Sequence, residues 1–137
     1  MADFRQYIEA ELENIQKAIA KLPSSQSLPN LSDLELAGVA ALIHSFYNGI
    51  ENILKQAVQG KGHKLPQGQT WHRDLIQMAL AEGIICAPTA ESLKQYLAFR
   101  HFFSHAYAFE VYAERIVPLV DGVNEVLKKL LADLERF

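Results

Sequence analysis

SDLELAGVAALIHSFYNGIENILKQAVQG, residues 32–60, is the stretch that decides the fold. Ser32 stands three residues before Glu35, the spacing of a capping box, in which a hydroxyl and a carboxylate reciprocally satisfy two amides of the first turn. From there Leu36, Val39, Ala40, Ile43, Phe46, Tyr47, Ile50, Ile53, Leu54 and Val58 recur at three- and four-residue intervals, which places them on one face of an α-helix. Gly60 ends it. A helix this long with a continuous apolar stripe needs other helices to cover it.

The flanking sequence supplies them. Upstream, Phe4, Ile8, Leu12, Ile15, Ile19 and Leu22 define a first amphipathic helix, and the Ser-rich segment from Pro23 to Pro29 reads as a loop. Downstream, Gly60, Gly62, Pro66 and Gly68 make the most flexible part of the chain, followed by a short helix from Trp71 to Glu82 on Leu75, Ile76, Met78, Ala79 and Leu80. Pro88 and Thr89 reset the direction; Thr89 is predicted as an N-cap and Glu91 suits a first turn, so a fourth helix is expected from Ala90 to Ser104, carrying Leu93, Tyr96, Leu97 and Arg100. A final helix is expected from Glu110 to Arg136, with Pro118 kinking it or delaying its regular portion. Period-2 alternation, an Asn-Gly hairpin and internal repeats are all lacking. The predicted fold is all-α, an up-and-down bundle of four main helices plus one short one, in one domain over residues 1–137.

With 137 residues, half of them apolar, the chain suits one domain with its own core. Cys86, the single cysteine, lies among Ile84, Ile85 and Ala87, so a disulfide framework is excluded and the thiol reads as buried and inert. The start, Met1-Ala2-Asp3-Phe4-Arg5, lacks the pattern of a signal peptide, and the longest apolar run, Leu36 to Ile43, is broken by Gly38 and far too short for a bilayer. A soluble, cytoplasmic protein with no membrane partner is expected. The net charge of −3 is awkward for a protein that meets nucleic acid. One local patch runs against it: Lys55, Lys61, Lys64 and Arg73 come with His63 and His72 and no acidic residue. Read by itself, that patch is an exposed, mobile loop with solvated charges.

The chemistry concentrates in Arg100-His101-Phe102-Phe103-Ser104-His105-Ala106-Tyr107. A guanidinium can hold the non-bridging oxygens of a phosphate and steady the charge of a pentavalent transition state, and an imidazole can move a proton near neutral pH. These are components for cleaving RNA without a metal. A plainer reading is a helix end whose basic residues satisfy terminal carbonyls. His101 and His105, spaced i,i+4, also form half of a metal site, but no third ligand is close in sequence. Five residues turn a helix by about 500°, roughly 140° net, so Arg100 and His105 cannot share a face of one ideal helix. Either the helix ends or kinks before His105, or the two residues meet those of a second copy.

The order Arg-x4-His-x-Tyr late in a small helical chain resembles the HEPN ribonucleases, specifically their HepT-like toxins. The polar residue after the arginine, here His101, fits that pattern, and the Ser45 to Leu54 stretch, Trp71-His72-Arg73 and Val117-Pro118 look similar to the family's scaffold. The resemblance implies a homodimeric, metal-independent endoribonuclease without a cofactor, the toxin of a HEPN/MNT toxin-antitoxin pair, cutting tRNA or mRNA at a cleft between two facing motifs. It implies His105 as general acid or base, Arg100 as the phosphate holder and His101 as an orienting or hydrogen-bonding neighbour. It also implies Tyr107 as the acceptor of AMP from an MNT-type nucleotidyltransferase antitoxin, with small Ala106 and Ala108 leaving the phenol accessible. Lys61, Lys64 and Arg73 are then possible RNA contacts. Glu51 is a possible orienting partner for a basic residue near the site; its alternative is a surface glutamate paired with Lys55. Trp71 is expected as a core anchor. The rival function is a non-catalytic substrate- or nucleotide-binding partner of a separate nucleotidyltransferase.

Overall fold

The computed structural model of the chain describes residues 2–137, apart from the side chains of Ala2, Asp3 and Ala108. The described residues form five α-helices, α1 (Ala2–Lys21), α2 (Asp33–Gly60), α3 (Trp71–Ala81), α4 (Ala87–His105) and α5 (Ala113–Glu135), with 3-10 turns at Ser25–Asn30 between α1 and α2 and at Ala108–Glu110 between α4 and α5. Among the described residues there is no strand. The all-helical bundle predicted from the periodicity is the fold observed, with α3 as the short helix.

α2 is the central element and packs against each of the other four helices. Its start is fixed as the sequence indicates: the Glu35 amide donates to Ser32 Oγ at 3.1 Å and the Ser32 amide donates to Glu35 Oε1 at 2.9 Å. The predicted stripe, from Leu36 through Ile43, Phe46, Ile50 and Leu54 to Val58, is buried. Gly49 lies on the α1 side, where an added Cβ would meet Ile15 Cγ1 at 2.6 Å, so the missing side chain lets the two helices close on each other. The segment from 61 to 70 turns on Gly62 and Gly68, at φ 87° and 99°.

The boundaries of the last two helices differ from the sequence expectation for identifiable reasons. α4 starts at Ala87, three residues before Ala90, and its cap comes from another helix. The Cys86 amide donates to Asp133 Oδ2 at 3.1 Å, and the Thr89 hydroxyl donates to the same oxygen at 2.5 Å. Thr89 is therefore not the N-cap; a buried α5 carboxylate satisfies the Cys86 cap amide from 47 residues away. Burial alone would push the Asp133 carboxyl up, but the hydrogen bonds from Thr89, Cys86 and Arg136 outweigh it and hold the group below its ordinary value. Cys86 is half-buried at this cap, its thiol 3.5 Å from Asp133, rather than enclosed in the core. α5 begins at Ala113, not Glu110, because Glu110 is used in the preceding turn, where its carboxylate and amide both bond the Tyr107 backbone at 2.8 Å. Pro118 then falls in the second turn of a helix that continues to Glu135. Most of the Pro23–Pro29 loop is taken up by the first 3-10 turn, Ser25–Asn30, capped by Ser24. No helix among the described residues is long and apolar enough to cross a membrane.

Candidate functional site

α4 runs without a break through Phe102 and Phe103 and ends on His105; the chain becomes extended at Ala106. The helix therefore does not stop short of His105, and Arg100 and His105 point to different sides of it. Arg100 turns inward to α2 and is 21% exposed, while His105 is exposed.

The surface that meets Arg100 is a polar seam on α2, where His44, Tyr47, Glu51 and Lys55 follow one another at helical spacing. Glu51 is its centre and is 1% exposed. One carboxylate oxygen, Oε2, lies 2.7 Å from His72 Nδ1 of α3; the other, Oε1, lies 3.4 Å from Arg100 Nε of α4. Glu51 is thus not a surface residue paired with Lys55. The Arg100 contact is an ion pair by distance without hydrogen-bond alignment, and Tyr47 Oη, Glu51 Oε1 and Arg100 Nε are buried with no hydrogen-bond partner among the described residues. Burial, followed by the Glu51 carboxylate beside it, pushes the Tyr47 hydroxyl well above its ordinary value. His44, whose ring centroid is 5.4 Å from that of Phe103, is pulled down, first by burial and then by the Arg100 cation, with Glu51 opposing.

His105 is prepared differently. Its Nδ1 lies 2.9 Å from the His101 carbonyl oxygen. A carbonyl can only accept, so Nδ1 carries a proton and Nε2 is the atom that can take up or release one. The His101 ring lies beside it, exposed, with centroids 4.7 Å apart. Two residues on, Tyr107 is 70% exposed and stacks on exposed Phe109, rings 5.4 Å apart and within 2° of parallel. Ala106 is half-buried; the Ala108 side chain, taken with it as a small flank of Tyr107, lies outside the described residues.

The basic patch changes character in three dimensions. His63 Nε2 is 2.7 Å from the Glu82 carboxylate, and Lys61 Nζ donates to the Glu82 carbonyl at 2.9 Å, so a segment free of acid in sequence faces one in space. His72 leaves the patch for Glu51, and Lys55 Nζ lies 4.5 Å over the Trp71 ring. Lys64 and Arg73 are exposed. Trp71 is half-buried, its indole centroid 3.5 Å from that of His72, so it packs at the edge of the core rather than anchoring its centre. Among the described residues no group of three His, Cys, Asp or Glu side chains is placed to hold a metal ion.

Three residues of this cluster, His44, Tyr47 and His72, were not singled out for this role in the sequence. His44 carries a usable signal, since it lies seven residues before Glu51 on the same helix face. His72 stands in the Trp71-His72-Arg73 stretch that resembles the family's scaffold, but nothing local points to Glu51, which it meets only through the packing of α3 on α2. Residues 38–137 match the family described as HepT-like protein, an interval that takes in Glu51, His72, Arg100, His105 and Tyr107. No curated protein and no solved structure matches the chain.

Proposed function

The chain belongs to the HepT-like, HEPN-type family, and from that premise we propose that it is a toxin that cleaves RNA without a metal, working as a homodimer. The observation that carries the proposal is the pairing, on one helix, of a braced cation with a tautomer-fixed imidazole. Glu51 holds Arg100 by its Nε side, leaving the terminal guanidinium nitrogens to grip the non-bridging oxygens of a phosphate. His105 Nε2 takes the proton from an RNA 2′-hydroxyl as that oxygen attacks the adjacent phosphorus. The P–O5′ bond breaks, the proton passes to the leaving oxygen, and the products are a 2′,3′-cyclic phosphate and a 5′-hydroxyl. Arg100 stabilises the phosphorane between these steps. His101, exposed beside His105, orients the imidazole or the substrate.

One chain presents Arg100 and His105 on different sides of α4, so we assign the working site to two copies facing each other across a two-fold axis. A second copy also doubles the local positive charge, which offsets the acidic total. Exposed Tyr107 is the proposed acceptor of AMP from an MNT-type nucleotidyltransferase antitoxin; each attached phosphate would put negative charge where RNA must bind. Lys64 and Arg73 fit as RNA contacts better than Lys61, which is already engaged at Glu82. A purely adaptor role leaves the braced Arg100 and the fixed His105 without a task.

Complementation tests the proposal. The parent should cleave RNA equally well in EDTA, His105→Ala and Arg100→Ala homodimers should each lose cleavage, and mixed dimers of the two should regain one site. Full activity in either single variant would remove the nuclease assignment, and mixed dimers that stay inactive while each parent dimerises would remove the shared site.

A further inference from the structure

Trp71, the single tryptophan of the chain, lines a cavity of about 410 Å³ between α2, the 61–70 segment and α3. Leu65, Pro66 and Leu75 give it apolar walls, Gln67 contributes an amide that can donate and accept, and Lys55 contributes the one cation of the lining. The volume lies within the range of small-molecule sites. Its position matters more. Lys55 is one turn beyond Glu51 on α2, about 6 Å along the axis, and Trp71 adjoins His72, which bonds Glu51. The cavity therefore continues the seam that ends on Arg100.

Apolar walls, an indole, an amide and a single cation match a flat polar ring that carries an anion. An acyl chain would leave Gln67 and Lys55 unmatched, and a free phosphate would leave the walls and the indole unmatched. We propose that this cavity receives one unpaired nucleotide of the RNA, its base against Trp71 and its phosphate on Lys55, and that it selects the base near the cut. The inference rests on the nuclease reading for its ligand. In the free protein Lys55 Nζ occupies the indole at 4.5 Å, an exchangeable contact. An incoming base takes over the indole face that Lys55 covers, stacking as bases do on aromatic side chains, and the ammonium turns to the phosphate.

Because Trp71 is the only indole, its fluorescence reads the cavity directly. The whole protein is titrated with the four nucleoside 3′-monophosphates, the matching nucleosides and inorganic phosphate, with excitation at the red edge to avoid nucleotide absorption. At least one nucleotide should quench saturably, its nucleoside should bind about tenfold more weakly, and inorganic phosphate should not quench. Lys55→Ala, or Lys55→Gln if the alanine variant does not fold, should bring the nucleotide down to the affinity of its nucleoside. No saturable quench by any nucleotide, equal affinity of nucleotide and nucleoside, quenching by inorganic phosphate alone, or an unchanged nucleotide affinity in the Lys55 variant would each overturn the inference. RNA cleavage by the same preparation is read separately: binding without cleavage removes the nuclease proposal and keeps the cavity, and cleavage without binding removes the cavity alone.

Discussion

Replacing Glu51 tests whether Arg100 is held from the core. The carboxylate is 1% exposed, with His72 Nδ1 at 2.7 Å on one oxygen and Arg100 Nε at 3.4 Å on the other. Removing one member of a buried ion pair costs about 3–5 kcal/mol, because the partner is left charged and unpaired. Arg100 and His72 are about one-fifth exposed and can turn partly to water, and the Arg100 contact lacks hydrogen-bond alignment. The lower end of the range therefore applies to Glu51→Ala, about 3 kcal/mol, or roughly a 10 °C fall in Tm for a chain of this length. Glu51→Gln keeps the volume and an acceptor for His72 but loses the charge, which should cost about 1–2 kcal/mol. Thermal denaturation followed by circular dichroism measures both. Cleavage should fall in both variants chiefly through kcat, since a guanidinium free to rotate still attracts RNA but no longer meets the transition state in register. A Glu51→Ala protein that melts within about 2 °C of the parent would refute the brace, whatever happens to activity.

Three further outcomes follow from the same geometry. His105→Ala should leave Tm unchanged within about 2 °C because the ring is exposed, whereas Arg100→Ala should lower it by stranding buried Glu51; equal melting of the two, by calorimetry, would contradict the inward orientation of Arg100. Tyr107→Phe should retain cleavage and escape silencing by a cognate nucleotidyltransferase with ATP, while exposed Tyr112 and buried Tyr96 stay unmodified; AMP located on either of those by mass spectrometry would overturn the assignment. His44 is held below its ordinary value of 6.5, so the unfolded chain takes up this proton more readily than the folded one. Its contribution to stability is complete above that value and declines as the pH falls below it. His44→Phe should flatten the stability profile between about pH 7 and pH 5 in urea melts; an unchanged slope would show that His44 does not report on the seam.

The helices could be read from the sequence because local rules and tertiary packing agree in them. The Ser32–Glu35 box and the stripe from Leu36 to Val58 are each sufficient to place α2, and the structure uses both. The ends of α4 and α5 are where those rules give way. Thr89 looks like a cap and spends its hydroxyl on Asp133; Pro88 looks like a barrier and sits in the first turn, where a missing amide costs nothing. Asp133 exposes the general difficulty: a buried acid that caps a helix from 47 residues away has no signature in its own neighbourhood.

The same distinction divides the candidate site. Arg100, His105 and Tyr107 are legible because their spacing is local and the family resemblance rests on that spacing. What braces Arg100 is not legible, since Glu51 and its partner His72 come from two other helices. The sequence left Glu51 poised between a surface pair with Lys55 and an orienting role; burial removes the first, and Lys55 goes to Trp71 instead. The acid-free patch failed for the converse reason, because Glu82 is absent from the segment and present beside it in space. The five-residue interval is the one feature whose sequence arithmetic alone bears on the proposed mechanism. An unbroken helix must separate Arg100 from His105 by roughly 140°, and α4 is unbroken to His105. If both groups act on one phosphate, the chemistry is then a property of two chains, and any condition that separates the copies should abolish cleavage without disturbing either half of the motif.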